Sequence, residues 1–199
     1  MSRKIYGDIK ELIEKRKEQG LYKRERVICS PQGPEIEVEG RGKVLNFCSN
    51  NYLGLSAHPR VCEAAGETLK SRGYGLSSVR FICGTQDVHR DLEERVSEYL
   101  GTDDTILYAA CYDANAGIFE PFLDSECAII ADQLNHASII SGVRLCKADR
   151  YIYSHNQTGK GTYSFDGKDL PGLEAILSMD EVRNAKYRMV ATDGVFSMN

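Results

Sequence analysis

The segment Cys127-Ala128-Ile129-Ile130-Ala131-Asp132-Gln133-Leu134-Asn135-His136-Ala137-Ser138 runs from small and apolar residues directly into polar ones. Its apolar part is too short for a buried helix and suits a strand covered on both faces, as in a parallel sheet. The polar residues then form a strand-to-helix loop, and residues 137–145 read as the helix. The unit recurs along the chain. Residues 105–109 read as an apolar strand followed by a helix over 114–122. Residues 150–153 read as a third strand, with a helix over 170–177, and residues 187–192 as a fourth. Short apolar strands alternating with helices predict an α/β fold, a mostly parallel sheet with helices on both faces.

Upstream, residues 59–72 read as a helix opened by Pro59, whose fixed φ and missing N–H suit a first turn. Asp87 begins a second helix that runs to Leu100, with Gly101 just past its end. Between them Gly73-Tyr74-Gly75-Leu76-Ser77-Ser78 is a flexible loop. The opening is different. Ile5, Ile9, Leu12 and Ile13 have helical spacing up to about Gln19, followed by short strands at 26–29, 35–39 and 43–48. This region has little apolar bulk, so residues 1–58 are expected to form an arm and small β element that pack on something else, with 59–199 forming the start of a larger domain. The segment 154–167 is polar and glycine-bearing, an exposed loop or small hairpin. Its Gly159-Lys160-Gly161-Thr162 lacks the first glycine of a phosphate loop.

Composition narrows the function. The net charge of −4 gives no electrostatic case for nucleic acid or an anionic membrane surface. Lys15, Arg16, Lys17, Lys23, Arg24 and Arg26 are interleaved with Glu11, Glu14, Glu18 and Glu25, which makes a solvated helix face. No apolar run is long enough to span a bilayer, and the N-terminus has no apolar signal core, so a cytoplasmic location is expected. The seven cysteines are scattered without a CxxC pair, which argues against a zinc site or disulfide framework and for reduced, mostly buried thiols.

Ligands of open α/β sheets bind at the C-terminal ends of the strands. Three such ends carry candidates. The first leads into Cys111 and Tyr112 at a helix start, where free amides attract phosphate, with Asp113 as a possible cap. The second leads to Asn135, a candidate cap, and His136, which can stack on a flat ring. The third leads to Ser197.

Four ordered blocks carry a resemblance. Asn46-Phe47-Cys48-Ser49-Asn50-Asn51-Tyr52-Leu53-Gly54-Leu55 is similar to the N-terminal signature of the α-oxoamine synthases. Gly73 to His89 resembles their glycine-rich loop with its Gly84-Thr85-Gln86-Asp87-Val88-His89 element. Leu134-Asn135-His136-Ala137-Ser138 and Thr192-Asp193-Gly194-Val195-Phe196-Ser197-Met198 resemble two further blocks. Residues 78–85 look most like the members that join glycine to acetyl-CoA. The stretch 156–165 is longer than those members usually have.

The resemblance implies a PLP-dependent transferase of fold type I (aspartate-aminotransferase-like), active as a homodimer. It implies condensation of glycine with acetyl-CoA to 2-amino-3-ketobutyrate and CoA, or the reverse cleavage in threonine breakdown. The cofactor would be pyridoxal 5'-phosphate (PLP), with its phosphate on the Cys111 and Tyr112 amides, assisted by the helix dipole. His136 would stack on the pyridine ring and help place the glycine adduct, Ser197 would bond near the phenolic oxygen, and Asn50 would reach the substrate carboxylate across the dimer. The family's Schiff-base lysine, its pyridine-pairing Asp and its carboxylate-binding Arg all fall beyond Asn199, and Asn199 stands where the glycine-specific members usually have Asp. These 199 residues alone are therefore expected to lack activity. Two alternatives are a noncatalytic, lysine-less partner subunit and another family member resembling 8-amino-7-oxononanoate synthase.

Overall fold

A computed structural model describes residues 2–197 of the chain; Met198, the end of the fourth block, and Asn199 lie outside the described residues. The chain divides into two compact units, Met1–Gly84 and Thr85–Asn199. Among the described residues no helix is long and apolar enough to cross a membrane.

In the first unit α1 (Ser2–Glu18) forms as its spacing predicts, and Lys15, Arg16 and Lys17 sit in the last turn, where cations complement the free carbonyls. Strands β1 (Glu35–Val38) and β2 (Gly42–Leu45) pair antiparallel. Ile36 and Val38 are the buried apolar residues of this unit. The strand expected at 26–29 is reduced to an isolated bridge between Ile28 and Val38. α2 (Pro59–Arg72) has the predicted bounds, with Pro59 in its first turn, and buries none of its residues. The expectation of mostly buried thiols fails for the same reason. Cys29, Cys48 and Cys62, along with Cys83 and Cys111, lie on sparsely covered elements and are exposed, while Cys127 and Cys146 are buried.

The second unit opens with α3 (Asp87–Leu100). It is capped reciprocally by Gln86 and His89, so orphan amides at its start find acceptors within the chain. Residues 105–109, expected to be a strand, have no ladder partner among the described residues. Side chains of α3 hold this segment instead: Leu107 N–H donates to Glu93 Oε1 at 3.1 Å, and Thr105 and Ser97 hydroxyls meet at 2.7 Å. α4 runs Cys111–Gly117, earlier and shorter than the helix expected at 114–122. Pro121 accounts for the early stop, because it disfavours helical geometry at Glu120.

From here the alternation matches the reading of the sequence. β3 (Ala128–Asp132), α5 (Ala137–Leu145), β4 (Asp149–Tyr153) and β7 (Arg188–Ala191) build a parallel sheet in the order β4-β3-β7. Ala131 faces Ile152 on one side and Ala191 on the other. The central strand is buried along its whole length. Its alternate residues feed two cores. Ile129 and Ala131 pack with Phe119, Leu123, Ile139 and Val143 on the face covered by α4 and α5. Ala128 and Ile130 pack with Ile176 and Val182, carried by α6 (Leu173–Leu177) and α7 (Asp180–Arg183) on the other face. Each buried isoleucine contributes about 1.5–3 kcal/mol of burial.

The helix expected at 170–177 is confined to α6. Its first part belongs to β6 (Lys168–Pro171), which pairs with β5 (Thr162–Phe165). Asp166 and Gly167 form the turn, with φ of 50° and 70°. Two consecutive positive φ values require an Asp-Gly type of hairpin turn, and this outweighs the helical spacing of the residues that follow.

Candidate active-site edge

The C-terminal ends of β3 and β7 and the start of α4 are joined by hydrogen bonds within the second unit. α4 begins after Ala110, which is extended (φ −147°, ψ 153°) and has no capping side chain. Asp113 lies inside the first turn and does not cap. The Cys111 and Tyr112 amides therefore have no acceptor among the described residues. A helix start leaves such donors for a ligand or water. α4 is only two turns long, so individual N–H groups rather than a macrodipole carry its capacity to hold an anion.

α5 begins differently. Its N-cap is His136, not Asn135 as the sequence suggested, and the imidazole Nδ1 accepts from Ser138 N–H at 3.2 Å. His136 as a residue is exposed. Asn135 is buried and performs another task. Its Nδ2 donates to the Ala191 carbonyl at 2.8 Å, and its Oδ1 accepts from Asp193 N–H at 3.0 Å. Asp193 Oδ2 in turn accepts from His136 N–H at 2.6 Å. This ring of bonds fixes the β3–α5 loop to the exit of β7.

α4 and α5 are tied as closely. Asn115 Nδ2 donates to Ser138 Oγ at 3.0 Å, and the Tyr112 and Ser141 hydroxyls meet at 2.8 Å. Gly142 makes this approach possible. A Cβ there would meet the Asn115 carbonyl oxygen and would lie 2.7 Å from Phe119 Cδ2. One hydrogen-bonded array thus links the uncapped α4 start, the His136 ring and the β7 exit.

Beside it lies a buried charge that the sequence reading passed over. Asp132 accepts from His155 Nδ1 at 2.8 Å, from Leu134 N–H at 2.8 Å and from Asn156 N–H at 3.1 Å. The signal was present: polar residues close two adjacent apolar strands, and Asp132 is in register with Tyr153. The Phe196 ring packs edge-on against His155 at 4.4 Å. Burial pushes the Tyr153 phenol up, opposed by its hydrogen bond with Thr192.

Of the residues singled out from sequence, Cys111, Tyr112 and His136 are brought together. Ser197 is exposed in the turn after β7, and among the described residues no hydrogen bond ties it to the array. Asn50 belongs to the first unit. It is exposed, its Oδ1 accepts from Tyr52 Oη at 3.1 Å, and it lines an open cavity of about 450 Å³ with Asn46, Ser49 and Asn51.

Comparison with known proteins gives a consistent picture. The profile described as "Aminotransferase class I and II" matches residues 42–199. The mitochondrial 2-amino-3-ketobutyrate coenzyme A ligase of Bos taurus is 50% identical over 196 residues, 98% of this chain and 43% of that protein. The 2-amino-3-ketobutyrate coenzyme A ligase of Escherichia coli is 47% identical over 199 residues, 100% of this chain and 47% of that protein. The chain thus spans less than half the length of these two relatives. A serine palmitoyltransferase of S. paucimobilis with bound PLP–myriocin has the same fold, with a TM-score of 0.70 at 24% identity, covering 94% of this chain and 52% of that one. With a profile match over most of its length and a parallel sheet layered by helices, the chain belongs to the class I and II aminotransferase family.

Proposed function

We propose that this chain supplies the phosphate cradle and ring-stacking edge of a PLP-dependent glycine C-acetyltransferase, also called 2-amino-3-ketobutyrate CoA ligase. In this reading the protein joins glycine to acetyl-CoA, giving 2-amino-3-ketobutyrate and CoA, or runs the reverse cleavage. The observation that carries it is the α4 start, which lacks an internal cap and is hydrogen-bonded through Asn115 and Ser138 to the exposed His136 ring. Identity near one half to two ligases of that name, across nearly the whole chain, supports the choice of reaction.

The donor set suits PLP. The Cys111 and Tyr112 N–H groups offer two donors of the kind a phosphate dianion accepts. His136 offers a flat ring held at its Nδ1 edge. PLP, when bound, supplies an electron sink that lets the α-carbon of glycine act as a nucleophile.

Each residue then has a role at a stated atom. The two α4 amides hold the phosphate, and the Asn135–Asp193 clamp keeps His136 at the strand end. His136 would cover one face of the cofactor, exclude water from it and help place glycine. Ser197 would donate near the phenolic oxygen of the cofactor from the β7 exit. Asn50 binds the substrate carboxylate in the site of a second copy. The 1–58 arm packs across that homodimer, consistent with exposed Phe47, Tyr52 and Leu53 beside Asn50. A cytosolic location is part of the same reading.

The test is glycine-dependent release of CoA thiol by protein made from the complete gene. Acetyl-CoA should be turned over in preference to pimeloyl-CoA and palmitoyl-CoA. Preference for pimeloyl-CoA would move the protein to 8-amino-7-oxononanoate synthesis. No glycine-dependent release with any acyl-CoA would refute the enzymatic reading.

A further inference from the structure

His136 carries two hydrogen bonds on one ring nitrogen, and their donors decide where its proton sits. Ser138 N–H points at Nδ1 from 3.2 Å, and a backbone amide can only donate. Ser138 Oγ lies 2.7 Å from the same nitrogen. That hydroxyl already accepts from Asn115 Nδ2 at 3.0 Å, so its own proton is free to donate to His136. Nδ1 is thus an acceptor twice over and carries no proton.

We propose that Ser138 and Asn115 are positioning residues that lock His136 as its Nε2–H tautomer, so that the ring meets its ligand as a hydrogen-bond donor and not as a base. A neutral imidazole has one donor and one acceptor nitrogen. Here the acceptor is consumed inside the protein, and the exposed ring offers a plane and an N–H. Ser138 is fully buried and Asn115 partly so, which shields the lock from exchange with water. The hydroxyl relays the Asn115 amide to His136, so the α4 helix, through its second turn, sets the chemistry at the start of α5. The role of the donor in catalysis rests on His136 facing PLP, as proposed above. The tautomer itself does not.

Two other histidines provide internal references. Gln86 N–H donates to His89 Nδ1 at 3.0 Å, so His89 should also hold its proton on Nε2. His155 Nδ1 lies 2.8 Å from the Asp132 carboxylate, so that nitrogen should be protonated.

The test is two-bond proton–nitrogen correlation NMR on the whole chain labelled with 15N-histidine, at mildly alkaline pH, with His136→Gln to assign the signal. His136 should show a protonated Nε2 and a bare Nδ1. Ser138→Ala should move it toward averaging between tautomers. Asn115→Asp, which draws the serine proton away, should shift it in the same direction by less. His89 and His155 should not change in either variant. A wild-type His136 ring protonated on Nδ1, or already averaged, overturns the proposal even if no variant folds. Binding of pyridoxamine 5'-phosphate is measured separately. A locked ring in a chain that does not bind it supports the tautomer and refutes the PLP reading. Binding without a lock does the reverse.

Discussion

Cys111→Pro separates the cradle from the fold. Cys111 is the first residue of α4, and the residue before it is extended at φ −147° and ψ 153°. Proline is favoured at that helix position, and an extended residue before it is the geometry it demands. Among the described residues no intrachain hydrogen bond depends on the lost N–H. Stability should therefore change by less than about 1 kcal/mol. Phosphate binding should lose one hydrogen bond to a charged acceptor, about 1.5–3 kcal/mol. That corresponds to weakening by about 10- to 150-fold. The assay is calorimetric titration with pyridoxamine 5'-phosphate, which has no aldehyde to react with surface lysines, alongside urea unfolding. Unchanged affinity in a folded variant would refute the assignment of the amide.

Gly142→Ala should destabilise by about 1–3 kcal/mol, because its methyl would push away α4 at Asn115 and the Phe119 ring that follows it; a urea midpoint equal to wild type would contradict the close approach. Asp132→Ala leaves His155 and two amides without their acceptor and should cost about 3–5 kcal/mol, seen as a large drop in thermal midpoint. The Lys186 ammonium beside Asp124 holds that carboxyl down at about 2, so its contribution should be fully present above pH 3.8 and vanish as pH falls through about 2. Asp124→Asn should thus differ from wild type at neutral pH and converge with it in strong acid; a constant difference across that window would contradict the pairing. The same pair raises the Lys186 pKa, so its stabilisation is complete below 10.5 and is lost as pH rises through the raised value.

The parallel strands were legible because each carries its own apolar run between polar loops. Ala128–Asp132 and Arg188–Ala191 need no distant information to be recognised as strands. Residues 105–109 have the same composition, but a strand is a property of two segments, and here Glu93 holds the backbone instead. The β5–β6 hairpin was legible in part, because a loop or small hairpin was expected over 154–167. Its Asp166-Gly167 turn was in view, but the apolar residues after it also fit a helix period. Along the candidate edge, His136 was readable as a residue that follows a strand, and Cys111 and Tyr112 as the start of a helix. The groups that hold them were not. Asn135, Asp193, Ser138 and Asn115 act through bonds that span 23 to 58 positions, and no local pattern marks such partners. Ser138 in particular reads as an ordinary first-turn serine until Asn115 is seen above it.

The most direct measurement is a titration of pyridoxamine 5'-phosphate into the 15N-labelled chain, followed by amide and imidazole NMR. Saturable shifts are expected, largest at the Cys111 and Tyr112 N–H groups and the His136 ring, with inorganic phosphate moving the two amides but not the ring. Saturable binding that leaves those three groups unmoved would contradict this expectation.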